Sequence, residues 1–338
     1  MQDAAQAGEP SAAQIAAALD GKTKPQGSLG RLEALAAQIA ALQGRLVPKM
    51  KRAALTIFAA DHGIAAAGVS AFPQDVTGQM VANFLAGGAA ANVIAQSMDV
   101  PVTVVDCGVR TEPDGRPGLV SLRLGAGTAN SLHGPAMAAA DAEAALDNGL
   151  RYGAAIDADA VCFGEMGIAN TSSATLLAHK LTGIPVAVLA GRGTGLDDEA
   201  LMRKTVILER AAARTGRLSP RAALAEVGGF EIGTMAGAML GAARKRRIVI
   251  VDGFIAGAAA LLARALEPRV DRALIWSHRS AERGHGALLD HVSARPLFDF
   301  DMRLGEGTGA LLAWPTVRAA AAIFRMASFA DAGVTERR

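Results

Sequence analysis

Six short, almost uninterrupted apolar runs, separated by longer alanine-rich stretches, narrow the possible folds of this chain more than any other feature. The runs cover residues 55–59, 102–105, 158–163, 185–189, 248–251 and 273–276. A strand with one face in water alternates apolar and polar residues. Strands that stay apolar throughout belong to sheets covered on both sides, and helix-length connections between them predict parallel pairing. The middle of the chain therefore reads as an α/β unit, a mostly parallel sheet with helices on both faces.

The two ends read differently. Ser11 can cap a helix running to Leu19, and Leu32, Leu35, Ile39 and Leu42 form a helical stripe that Gly44 can terminate. Past about Arg295 the sheet pattern stops, and a further helix is expected from Ala310. The predicted division is a large domain over 51–290 and a small helical domain built from both ends, 1–50 and 291–338.

Several function classes are excluded by charge and composition. Lys and Arg total 34 against 32 Asp and Glu, a formal net charge of +2, and aromatic residues make up 4%. Neither an electrostatic footprint nor a stacking platform for nucleic acid is expected. The one dense basic run, Arg244 to Arg247, precedes a buried strand and reads as the end of a helix, where cations are favoured. Residues 76–98 lack charges, but Gln79, Asn83, Asn92 and Gln96 interrupt them, at a cost that argues against a bilayer span. The first fourteen residues lack the basic and apolar regions of a signal peptide, so the expected location is the cytoplasm. Cys107 and Cys162 lie in strand contexts and read as small core residues. The six histidines show no metal-ligand spacing, and neither metal nor cofactor is expected.

Each apolar run is followed by polar or glycine residues: Asp61-His62-Gly63, Asp106, Glu165, Gly191-Arg192-Gly193, Asp252-Gly253 and Ser277-His278. Ligands of open parallel sheets bind beyond the carboxyl ends of the strands, so these ends mark one rim and one site. Within it, residues 163–173 set Glu165 between Gly164 and Gly167 and open a helix at Asn170 and Thr171. Glycines admit a ligand close to the backbone, and a helix N-terminus offers N–H groups to an anion. A capped turn alone would explain Asn170 but gives Glu165 no role.

Gly191 to Leu196, with Thr194 between Gly193 and Gly195 and with Lys204 beyond, suits a phosphate cradle, although the pattern is neither a dinucleotide fingerprint nor a Walker loop. Gly305-Glu306-Gly307 holds a carboxylate between glycines. In a desolvated pocket burial would raise its pKa toward that of a base able to take a weakly acidic N–H proton; on the surface it would be an ordinary glutamate. Further up the chain, Gln79 and Asn83 share a helical face beside apolar Met80, Phe84 and Leu85. Such a helix is more often core than pocket wall, but the two amides beside its apolar surface are what a flat heteroaromatic ring could use.

Taken in order, Lys24 to Glu33, Ala60 to Gly63, Gly164 to Ser173, Gly191 to Glu199, Ser277 to His285 and Gly305 to Gly309 resemble the nicotinate-nucleotide–dimethylbenzimidazole phosphoribosyltransferase family. The resemblance runs from about Gly21 to Ser328. Its one departure is Gln26, where the family commonly has a second proline. The resemblance implies a Rossmann-like large domain and a homodimer in which the turn at Lys24–Gly30 reaches the partner's site. It also implies that Glu306 is the general base and that Glu165 lies against the ribose and nicotinate. Gln79 would line the base pocket, Gly167, Gly193, Gly195 and Lys204 would hold the 5′-phosphate, and Asn83, Phe84 and Thr194 count among the substrate-binding residues. Met166, Asn170, Asp252, Ser280 and Leu304 would make further substrate contacts. Two other readings are weaker. A nucleotide-dependent oxidoreductase lacks its glycine turn after the first strand, and a non-catalytic benzimidazole-binding protein leaves Glu306 idle.

Overall fold

A computed structural model describes residues 9–111, 117–193 and 195–335. Among these residues six parallel strands form one sheet: β1 (Ala53–Ala60), β2 (Val102–Gly108), β3 (Leu119–Ser121), β4 (Ala160–Met166), β5 (Ile248–Val251) and β6 (Leu274–Trp276), in the spatial order β3-β2-β1-β4-β5-β6. The chain winds outward from β1 in one direction and then from β4 in the other. Connections diverge at that reversal and leave a crevice beyond the carboxyl ends of β1 and β4.

Side chains alternate along each strand, as the two-residue repeat requires. Phe58, Val161, Phe163, Val249 and Val251 join one core, shared with the helices at Asn170–Thr182, Phe230–Arg244 and Phe254–Leu266. Leu55, Ile57, Cys162, Ile248 and Ile250 join the other, closed by the helices at Arg31–Gln43 and Thr308–Ala322. Both cysteines are free and buried, in these cores.

The run at 185–189 is a correction to the sequence reading. It forms a short helix, Val186–Leu189, with Leu189 fully buried, rather than a strand. An apolar run of this length carries no periodicity that separates helix from strand, and Val186 and Val188 favoured the wrong choice. The sixth strand is instead β3, whose residues are only half-buried or exposed and so give little apolar signal.

Helix ends follow the sequence closely. Ser11 forms a capping box with Gln14, and Gly44 closes Arg31–Gln43 in the left-handed region at φ 65°. Phe230–Arg244 ends inside the basic run, where Arg247 donates to the carbonyls of Gly153, Ala154 and Ala158. The 76–98 stretch is two helices, Asp75–Leu85 and Ala90–Gln96, and no helix of the described residues is long and apolar enough to cross a membrane. The two chain ends meet: Ile15, Leu19, Ala36, Ala40, Ile323 and Phe324 share a small apolar cluster, and Lys22 pairs with Ser328. The segment read for a signal peptide begins outside the described residues.

One packing feature sets the outer layer on one face. Helices Ala139–Ala155 and Phe230–Arg244 cross with their backbones in contact. A Cβ on Gly149, Gly153, Gly237 or Gly241 would run into a main-chain carbonyl of the opposing helix. Glycine is what lets the two helices approach this closely.

Candidate active site

The carboxyl ends of β4 and β5, the residues just past β6 and the loop at 303–307 enclose a cavity of about 700 Å³ at the crevice. Its floor begins at Glu165, the penultimate residue of β4. Strand alternation turns this side chain inward, where it is 6% exposed and accepts a short hydrogen bond from the Asn170 amide. Burial pushes its pKa up to about 8, and the nearby Asp252 charge adds to the shift. After β4 the chain turns through Gly167, packed against the Ala60 carbonyl. Ala169 at φ 73° leads into helix Asn170–Thr182.

Lys204 reaches the same cavity from helix Asp198–Ala213. It is 1% exposed, and its ammonium donates to Thr171 Oγ1 at 2.9 Å and to the Gly191 carbonyl at 3.1 Å. Burial lowers its pKa to about 8, against the opposing pull of Glu282. A buried ammonium with two neutral partners still has a donor for an anion. Gly193, at φ 53°, lies directly over it: a Cβ there would stand 3.2 Å from Thr171 Oγ1 and 3.8 Å from the ammonium.

Facing these groups is the loop of Gly305, Glu306 and Gly307, with φ of 83°, 60° and 81°. Three consecutive left-handed residues cost little at the glycines, but roughly 1–3 kcal/mol at a glutamate. Asp252, just past β5, holds the loop in place. Its Oδ2 accepts from the Gly307 N–H and its Oδ1 from the Ala310 N–H, both at 3.1 Å, which caps helix Thr308–Ala322. Contact with β4 is equally close. A Cβ at Gly164 would meet the Glu306 main chain, and one at Gly305 would meet Glu165 Oε1. Glu306 is 7% exposed, and its Oε2 is buried without a hydrogen-bond partner among the described residues. Burial raises its pKa and the Asp252 charge raises it further, while an Ala91 N–H opposes both.

The opposite wall is apolar. Phe72, Val76 and Met80 fall at four-residue intervals on and before helix Asp75–Leu85, and Leu304 faces the same space. The cavity thus joins an anion cradle, a carboxyl acid kept protonated near neutrality, a second carboxyl with a free oxygen, and a flat apolar surface.

A family described as Phosphoribosyltransferase matches residues 5–334. Two relatives, both named nicotinate-nucleotide–dimethylbenzimidazole phosphoribosyltransferase, are similar along almost the whole chain. The one from Aromatoleum aromaticum is 52% identical over 324 residues, 94% of each chain. The one from Variovorax paradoxus is 50% identical over 328 residues, 96% of this chain and 94% of its own. The chain belongs to this phosphoribosyltransferase family. The crystal structure of CobT from Thermus thermophilus superposes with a TM-score of 0.93 at 44% identity, covering 96% of this chain and 99% of that one.

Of the residues expected at a family site, Glu165, Met166, Gly167, Asn170, Gly193, Lys204, Asp252, Ser280, Leu304 and Glu306 line this one cavity. Gln79, Asn83, Phe84 and Gly195 do not. Gln79 is exposed, Asn83 turns its Oδ1 toward Gly88, and Phe84 lies in the core beneath the sheet's second face. The face of Asp75–Leu85 that meets the cavity is the Val76–Met80 stripe, and Phe84 continues that stripe inward past the cavity's edge. Thr194 lies outside the described residues.

The walls also include Thr171, Phe72, Arg192, His278, Glu282 and Arg303, of which the sequence marked Arg192 and His278 only as residues at the ends of apolar runs. Thr171 and Arg192 stand beside selected residues, and adjacency was the available signal. His278 was marked by its place after the sixth apolar run, whereas Glu282 carries no such mark, because only the tertiary structure brings it opposite Lys204. His278 stacks on Phe298 at 5.7 Å, and burial lowers its pKa.

Proposed function

We propose that this cavity moves the 5-phosphoribosyl group from nicotinate mononucleotide to 5,6-dimethylbenzimidazole. The products are α-ribazole 5′-phosphate, which becomes the lower ligand of cobalamin, and nicotinate. The observation that carries the reading is a single cavity lined both by the buried Lys204 cradle and by the Glu165 and Glu306 carboxyls. In this reading the 5′-phosphate sits on Lys204 and the main chain of Gly167 and Gly193. The flat base lies against Phe72, Val76, Met80 and Leu304. Ser280 contacts the nucleotide, and Asp252 acts through the Glu306 loop.

Glu306 takes the N–H proton of the base while the opposite ring nitrogen attacks C1′. The C1′–N bond to nicotinate breaks, and its electron pair neutralises the pyridinium. Attack on the face opposite the leaving group converts a β-linkage into an α-linkage. Glu165 holds a proton near neutrality before the nucleotide arrives. The pyridinium charge favours its carboxylate form, which then faces positive charge developing at C1′. Binding of nicotinate mononucleotide near pH 7 should therefore release protons, measured by calorimetry in buffers of different ionisation enthalpy. Binding without any buffer dependence would remove Glu165 from that role.

The deciding experiment incubates the protein with both substrates and identifies products by mass. Glu306→Gln should bind both substrates yet lose about 10²–10⁴-fold in turnover, the usual weight of a general base. Because burial raises the Glu306 pKa, the acid limb of the wild-type kcat/KM profile should lie above the ordinary 4.5. Near-normal turnover in Glu306→Gln would refute the assignment. We further take the protein to be a cytoplasmic homodimer, with the ends 1–50 and 291–338 acting as a small helical domain beside 51–290.

A further inference from the structure

Asp61 and His62 follow β1 and take no part in the chemistry above; both side chains are buried outside the cavity wall. His62 is the centre of a three-residue chain. Its Nδ1 pairs with Ser173 Oγ at 2.8 Å and its Nε2 with Glu231 Oε1 at 2.7 Å. Serine, histidine and carboxylate in this order resemble a hydrolytic triad. Here, however, Ser173, His62 and Glu231 are 2%, 0% and 0% exposed, and none lines the cavity. No substrate reaches the hydroxyl, so the chain's effect must be on position.

What it positions is the turn that carries the cradle. Ser173 lies in the first turn of helix Asn170–Thr182, two residues after Thr171, which holds Lys204, and three after Asn170, which holds Glu165. His62 also packs beneath Gly167, where a Cβ would stand 3.2 Å from Nε2. Asp61 braces the other side. Thr77 Oγ1 donates to Asp61 Oδ1 at 2.8 Å and accepts from the Ile168 N–H at 3.1 Å. Between the two braces Ala169 keeps a left-handed φ of 73°, which an alanine holds only under constraint from its surroundings. Glu231 lies in the first turn of helix Phe230–Arg244, and its Oε2 has no partner among the described residues.

We infer that His62, anchored by Glu231 and acting through Ser173, is a positioning residue for the 167–171 turn that receives the sugar phosphate. With Glu231 accepting from Nε2–H, His62 Nδ1 is free to accept the Ser173 hydroxyl, and the helix start is tied to the end of β1. The inference rests on reading the cavity as a phosphoribosyl site.

Wild type, Ser173→Ala and Glu231→Gln, each checked for folding by circular dichroism, separate the possibilities. Absence of α-ribazole phosphate from wild type sinks the reading of the cavity and leaves the brace to be judged by direct binding of nicotinate mononucleotide to Ser173→Ala, which must be weaker than to wild type. With wild type active, Ser173→Ala should lose up to about 10²-fold in kcat/KM, as small misplacements do. Its KM for nicotinate mononucleotide should rise about tenfold while that for the base stays within about twofold. Glu231→Gln keeps an acceptor for Nε2–H and should retain most activity. An unchanged nucleotide KM in folded Ser173→Ala, equal losses for both substrates, or an equally impaired Glu231→Gln overturns the proposal. Should Ser173→Ala not fold, Ser173→Cys, which weakens the bond without deleting it, must show the same asymmetry between substrates.

Discussion

Single residues at the proposed site owe their properties to where the backbone forces them to sit. Glu165 is the clearest case: an inward position on a strand end removes its carboxyl from water, and the proton stays until about pH 8. The unfolded chain releases that proton near 4.5, so between these values the folded state binds more protons than the unfolded one. Stability therefore falls as pH rises across that window. Glu165→Gln has no such proton to lose and should flatten the decline, read as urea midpoints from about pH 5 to pH 8; a decline as steep as wild type's would assign it to another group. Lys204 gives the opposite sign at higher pH. Its folded pKa of about 8 against an ordinary 10.5 means that stability rises with pH between those values. At this scale the sequence showed Glu306 between glycines and Lys204 beyond a glycine turn. The Glu306 φ of 60° and the free Oε2 needed Asp252 and Gly164 to be in place.

Elements explain what the residue scale cannot: why the site is rigid enough to use these groups. The two-faced apolar strands, the Ser11 cap and the Gly44 terminator were all legible, because each follows from local chemistry. The helix at Val186–Leu189 was not, since four apolar residues satisfy either conformation and their contacts with neighbouring helices decide. The glycine-lined crossing of Ala139–Ala155 with Phe230–Arg244 was also hidden, because no single helix shows which of its faces will meet another backbone. That crossing should tolerate no side chain. Gly237→Ala places a methyl group against the Leu146 carbonyl and should destabilise the fold by about 1–3 kcal/mol, measured by chemical denaturation. A change within about 0.5 kcal/mol, typical of a surface substitution, would mean that the helices can part without penalty.

Across the whole molecule the strand order β3-β2-β1-β4-β5-β6 gathers strand ends far apart in sequence at one crevice. The chain ends pack together, and Lys24, in the turn proposed to reach a partner's site, pairs with Glu33 at 2.9 Å. If the homodimer forms as proposed, sedimentation should give twice the chain mass at micromolar concentration, and a monomer carrying full activity would dismiss the shared site. The order of residues alone was enough to set the class of fold, the rim on which the cavity opens and most of the groups that line it. Apolar periodicity and glycine-flanked acids act locally and leave their pattern in the chain. Three outcomes waited on the folded molecule: which face of Asp75–Leu85 meets the cavity, that Glu282 comes opposite Lys204, and that His62 braces Ser173. They depend on packing between distant segments, and no neighbour in sequence records it.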